Sequence, residues 1–167
     1  MTHRRVLLAS LAVLLANGCS NSPKNQAATS GSASWSNATI TASKRQDVVI
    51  HAMAMLDRSY TYGGKKLHTG FDCSGLVSFV FKESAGISIK GSAHDIATMT
   101  QPIQFEQANP GDLVFFNTLG SPYSHVGIYI GSGKFIHAAN EKTGVKVERL
   151  NSAYWAKRFQ GFRTVLA

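Results

Sequence analysis

The order of apolar and polar positions divides this 167-residue chain into three stretches. In the first, Val6 to Ala16 form a short run that is apolar on every side, with His3, Arg4 and Arg5 before it and Asn17, Gly18 and Cys19 after it. The run is too short to span a bilayer, which takes about 20 apolar residues, and it has no polar face to turn outward from a core. A basic start, an apolar run and a small-residue end are the marks of a secretory signal. In the second stretch, Ser20 to Thr39, Ser, Asn, Ala, Gly and Lys dominate and Trp35 is the one large apolar residue. That is the composition of a flexible tether.

Regular periods begin in the third stretch. Ser43 and Gln46 have capping-box spacing, and Val49, Ala52, Met53 and Leu56 recur at helical intervals, which predicts a helix ending near Ser59. A second helix is predicted from Asp72 or Cys73, with Leu76, Val77, Val80 and Phe81 as its apolar stripe and Gly86 as its stop. Ser92 is placed to cap a short third helix over Ala93 to Met99, with Pro102 just beyond it. After Pro110 and Gly111 the period changes to that of strands: Asp112 to Phe116, His125 to Ile130, Lys134 to Ala138, Val145 to Leu150 and Arg158 to Val165. Helices followed by strands imply an α+β domain, with the helices packed on an antiparallel sheet of five or six strands. The expected organisation is a signal at 1–18, a tether at 19–40 and one folded domain at 41–167. A chain of this length that is 44% hydrophobic is enough for one core.

Charge and cysteine count narrow the function. Without Arg4 and Arg5 the chain keeps 15 basic residues against 9 acidic, a net of about +6, which favours anionic surroundings. Carboxylate-bearing wall peptides, anionic lipid and nucleic acid all fit that sign, and a secretion signal disfavours nucleic acid. Of the two cysteines, Cys19 falls at the end of the signal, so Cys73 has no partner in the chain. A free cysteine is commonly a small buried hydrophobe. Cys73 differs in being flanked by Asp72 and Gly75 at a predicted helix start, where free N–H groups and the helix dipole favour a thiolate. Gly75 would leave space for a substrate backbone. A thiol nucleophile needs a base, and His125 opens an apolar strand. The tight turn Gly131-Ser132-Gly133 brings the strand with His137 beside it, on a matching face, where His137 would orient His125 as the third member of a triad. Each histidine alone reads as a hydrogen-bonded, half-buried ring, the reading kept for His51, His68 and His94; the set of three residues points to catalysis.

The residues from Gly70 to Val77, Gly-Phe-Asp-Cys-Ser-Gly-Leu-Val, resemble the nucleophile segment of the NlpC family of cell-wall cysteine peptidases. Tyr60-Thr61-Tyr62-Gly63-Gly64, Pro110 to Phe116, His125 to Gly131 and Phe135 to Ala138 are similar to its other signatures, in its order. Together they cover nearly everything from Thr41 onward. The resemblance implies a papain-like α+β fold and hydrolysis of peptidoglycan stem peptides, either between D-glutamate and a diamino acid or at cross-links to D-alanine, with no metal or organic cofactor. Carried over position by position, Cys73 is the nucleophile, His125 the base, His137 the polar third residue and Tyr60 the tyrosine near the oxyanion. Asp72 and Ser74 match positions that in some members bind the free amine of a trimmed stem; as an N-cap and a first-turn residue they have a structural reading as well. The segment from Lys65 to Thr69 is longer than the family pattern.

Leu15-Ala16-Asn17-Gly18-Cys19 resembles a bacterial lipobox, with the less usual Asn17. The resemblance implies that Cys19 becomes a lipidated, palmitate-bearing N-terminus, and Ser20 after it implies the periplasmic face of the outer membrane. Three other readings share these residues. Cys73, His125 and His137 are also zinc ligands, although a fourth is not evident. A wall-binding lipoprotein without activity is a second alternative, and a thiol acyltransferase or lipase on a related fold is a third. The sequence specifies no regulatory protease or adaptor and no dimer seam.

Overall fold

The computed structural model describes residues 30–166, with side-chain surroundings from residue 41 onward. The signal, Cys19, Ser20 and the first half of the tether lie outside the described residues. The first helix, α1, spans Ser30–Ala54. It begins well before Ser43, so Ser43 and Gln46 sit inside it rather than capping it, and its first part overlaps the segment read as tether. No glycine or proline interrupts residues 33–62, and Ser, Ala and Thr can continue a helix that tertiary contacts hold farther on. The buried stripe also differs from the expected one. Val48, Ala52 and Met55 are buried, whereas Met53 is exposed. With Val48, Val49 and Ile50 in succession, period alone cannot choose the inner face. The helix ends at Ala54 rather than near Ser59, where Asp57 takes a left-handed φ of 63° and its N–H bonds to the Val145 carbonyl.

The chain continues through a two-stranded hairpin, β1 (Lys65–Lys66) and β2 (Gly70–Phe71), into α2, Cys73–Ala85. The extra length between Lys65 and Thr69 is this hairpin, which sequence period could not announce in two-residue strands. Asp72 caps α2 through a bond from the Gly75 N–H, and Gly86 closes it in a left-handed conformation, as expected. Helix α3, Ala93–Met99, carries the Ser92 cap with Asp95 completing a capping box.

Six strands follow or join: β3 (Gln101–Ile103), β4 (Leu113–Phe116), β5 (His125–Gly131), β6 (Lys134–Asn140), β7 (Gly144–Arg149) and β8 (Phe159–Thr164), with the short helix α4 (Ala153–Ala156) before β8. Their order across the sheet is β3-β8-β4-β5-β6-β7, with every adjacent pair antiparallel. This is the expected α+β arrangement, to which β3 and α4 are additions.

Alternation along the strands divides the core. Leu113, Phe115, Val126, Ile128, Ile136 and Ala138 pack under α1 and α2, against Leu76, Val77, Val80 and Phe81. Val114, Phe116 and Phe135 face the other side, with Leu150, Trp155 and Phe162. A charged clamp fastens α1 to the sheet: Arg45 Nη1 donates to the buried Asp112 at 2.6 Å, while its Nη2 donates to Thr164 Oγ1 and to the Leu166 carbonyl.

Candidate active site

Cys73 stands in the first turn of α2, half-buried, where the backbone N–H groups of Val126, Ser74 and Cys73 itself face the sulfur. Burial pushes the thiol up to about 11 and Asp72 adds to the rise; those three N–H groups pull the other way and lose. The position at the helix start therefore solvates a developing thiolate without creating one at rest, which is less than the sequence argument expected. Cys73 and His125 line one cleft of about 910 Å³, together with Tyr60, Asp72 and Ser74.

His125 and His137 meet through the sheet register. Ile128 pairs with Ile136 across β5 and β6, so Gly127 falls opposite His137, and His125 is its diagonal neighbour on the same face. Their rings make a 2.7 Å hydrogen bond from Nε2 of one to Nδ1 of the other. Gly127 permits this, because a Cβ there would come within 2.7 Å of the Phe135 ring. Both imidazoles are buried. Burial lowers His125 to about 4, with Asp72 opposing weakly. His137 is lowered further, by burial first and then by His125 and Lys146. Both rings are thus neutral near pH 7. The two facing nitrogens are hydrogen-bonded to each other at 2.7 Å, closer than the roughly 3.3 Å between ligands that stand about 2 Å from a tetrahedral zinc, so the zinc alternative does not fit these positions.

Tyr60 reaches the cleft because the Tyr60–Gly64 loop lies on the start of α2. The Asp72 N–H donates to the Gly64 carbonyl, and the Gly63 N–H donates to Asp72 Oδ2 at 3.1 Å. A Cβ at Gly75 would overlap the Gly64 carbonyl oxygen, so the space at Gly75 holds this chain's own loop and not a substrate backbone. Burial, then the neighbouring Cys73 and Asp72, raises the Tyr60 phenol and keeps it protonated as a donor. Asp72 Oδ1 accepts from the Gly75 N–H and from Ser74 Oγ, so capping occupies that oxygen, while Oδ2 retains acceptor capacity.

Sequence reasoning missed Trp155. Its indole stacks on His125 with centroids 5.5 Å apart and stands edge-on to His137 at 4.8 Å. It covers both rings of the hydrogen-bonded pair. Its only signal was an aromatic pair, Tyr154-Trp155, in a polar stretch, because a four-residue helix shows no period.

Residues 57–164 match the model of the NlpC/P60 family. The chain belongs to that family. Among curated NlpC/P60 relatives, it is 36% identical over 117 residues to the murein DD-endopeptidase MepH of Escherichia coli K12, covering 68% of this chain and 43% of that one. It is 37% identical to the gamma-DL-glutamyl hydrolase of Bacillus subtilis, covering 70% of this chain and 28% of the hydrolase. The chain thus spans less than half the length of these two relatives. Among solved structures, an NLP/P60 protein similar to lipoproteins, from Staphylococcus aureus, superposes with a TM-score of 0.65 at 35% identity, over 74% of this chain and 42% of that one. The NlpC/p60 domain of the peptidoglycan hydrolase SagA gives 0.60 at 32% identity, over 72% of this chain and 97% of the domain.

Proposed function

We propose that this protein is a peptidoglycan hydrolase, a cysteine endopeptidase that cleaves amide bonds in murein stem peptides through a thioester. The observation that carries the reading is the cleft shared by Cys73 and His125, with His125 bonded to the buried, neutral His137. Relatives named as murein endopeptidases support the substrate class.

The protonation states set the order of events. A thiol held up and an imidazole held down rest as a neutral pair, so proton transfer accompanies attack. His125 Nδ1 takes the Cys73 proton as Sγ adds to the scissile carbonyl. His125 Nε2–H donates to His137 Nδ1, which holds the ring as it becomes imidazolium. The oxyanion is met by the Cys73 backbone N–H and the Tyr60 hydroxyl. His125 then protonates the leaving amine, which departs as the thioester forms. Water, deprotonated by the same imidazole, releases the acid and restores the thiol.

The bond between D-glutamate and a diamino acid, and the cross-link from D-alanine to a diamino acid, both release a diamino acid amine. Asp72 Oδ2 and Ser74 would receive a free stem amine. Lipidation at Cys19 would hold the domain at the periplasmic face of the outer membrane. The test is digestion of purified sacculi with mass spectrometry of the released muropeptides. New stem-peptide ends are expected from the unaltered protein and none from Cys73→Ala with an unchanged circular dichroism spectrum; full release by that variant would overturn the mechanism.

A further inference from the structure

We infer that Leu119 is a substrate contact, an apolar side chain that packs on the aliphatic carbons of a stem peptide bound over His125, and that Tyr123 is the positioning residue that holds it there. The inference rests on the peptidoglycan-hydrolase reading and adds to it one wall of the site.

The segment between β4 and β5 forms one side of the Cys73 cleft through Thr118, Leu119, Ser121, Pro122 and Ser124. Past His125 lies a second cavity, of about 460 Å³, and Thr118, Leu119 and His125 line both. Leu119 therefore stands where the two cavities meet, beside the imidazole of His125. It is 80% exposed. A single exposed leucine is common and means little by itself. This one differs in being fixed. Ser124 Oγ accepts from the N–H groups of Thr118 and Leu119, at 2.9 and 3.1 Å, so the Leu119 backbone is held with its side chain in solvent.

The residue that seats this arrangement is strained. Tyr123, next to Ser124, has a φ of 54°, a left-handed conformation that a bulky residue keeps only when its surroundings compel it. Its N–H donates to Gln160 Oε1 at 2.5 Å, and its ring stands edge-on to Phe115 with centroids 5.8 Å apart. The Arg163 guanidinium lies 5.1 Å from the ring centroid and is itself held by donating to the Thr100 carbonyl at 2.8 Å. The His94 ring, 6.3 Å from that of Tyr123, brings its Nδ1 to 3.4 Å from the Pro122 carbonyl. Groups from β4, β8 and α3 thus grip one residue. The left-handed turn they enforce brings the chain back toward Thr118, where the Ser124 hydroxyl meets the two N–H groups.

A stem peptide laid across Cys73 and His125 covers Leu119, and burying a leucine side chain strengthens binding by about tenfold or more. The contact is the same before and during the reaction, so it lowers KM and leaves kcat unchanged. The strain at Tyr123 has a use on this reading, because a leucine fixed in place loses less freedom when the substrate arrives.

The test is a double-mutant cycle with Leu119→Ser and Tyr123→Gly, read as kcat and KM on muropeptides released from sacculi by a muramidase, with thermal melting and amide hydrogen exchange beside them. Glycine keeps the left-handed turn without strain and removes only the ring, so the fold is expected to persist. Leu119→Ser is expected to raise KM about tenfold and to keep kcat within about twofold. Tyr123→Gly is expected to raise KM about fivefold and to speed exchange at the Thr118 and Leu119 amides. The double variant is expected to match Leu119→Ser at about tenfold, because Tyr123 acts through Leu119. Tyr123→Phe, which keeps the ring, is expected to restore both KM and slow exchange. An unchanged KM in Leu119→Ser, effects that multiply to about fiftyfold in the double variant, unaltered exchange in Tyr123→Gly, or no rescue by Tyr123→Phe would overturn the inference while the hydrolase reading stands. Absence of cleavage by the unaltered protein overturns both.

Discussion

The two faces of the six-stranded sheet bury different chemistry. Under α1 and α2 the sheet presents Leu113, Phe115, Val126, Ile128, Ile136 and Ala138, and burial there serves cohesion alone. On the opposite face Phe116, Phe135 and Trp155 surround two imidazoles. The same exclusion of water there lowers the proton affinity of both rings and leaves His125 neutral, the state the proposed mechanism requires. Desolvation that holds one face together therefore sets the protonation state of the histidines on the other. Cys73 comes from the helix-covered side and meets His125 where β5 begins, so the site straddles the two.

The sharpest break in this comparison is His137→Leu, which keeps the apolar volume and removes the acceptor for His125. It is expected to lower kcat by about 10³-fold and, by leaving the buried His125 Nε2–H unpaired, to cost about 1–3 kcal/mol, measured by sacculus digestion and thermal melting. Phe81→Ala does the reverse. It leaves a cavity under α2 and costs about 4 kcal/mol in denaturant unfolding, while the folded fraction keeps its kcat. Arg45→Met leaves Asp112 buried without its cation and is expected to cost about 3 kcal/mol in the same measurement.

A further effect is in pH. His125 and His137 are held below the ordinary 6.5, so the unfolded chain takes up their protons first. Stability is complete above about pH 6.5 and declines as pH falls, by up to about 1.4 kcal/mol per pH unit for each ring, until His125 itself protonates near 4. His137→Leu should halve that slope in denaturant titrations at pH 7 and pH 5. Over the same range kcat/KM stays level and drops only as His125 protonates near 4, whereas a rate that falls through pH 6.5 would mean that His125 is not desolvated.

Much of this was legible from local signals. Asp72 and Gly86 bounded α2, Ser92 capped α3, and the Gly131-Ser132-Gly133 turn brought His125 and His137 onto one face. Each signal acts within a few residues, through a cap bond, a glycine conformation or a two-residue period. The inner face of α1 was not legible, because Val48, Val49 and Ile50 are equally apolar and only packing against α2 and the sheet selects Val48. Nor was Trp155 over the histidines, since α4 is a single turn with no period of its own.

The sequence by itself determined which groups the proposed reaction would use, because a lone cysteine at a capped helix start and two histidines at matching strand positions are local facts. The tertiary structure alone decided the state in which they wait. Proton affinity depends on how much water the surrounding elements exclude, and Trp155, Phe116 and the start of β5 come together from distant parts of the chain to exclude it.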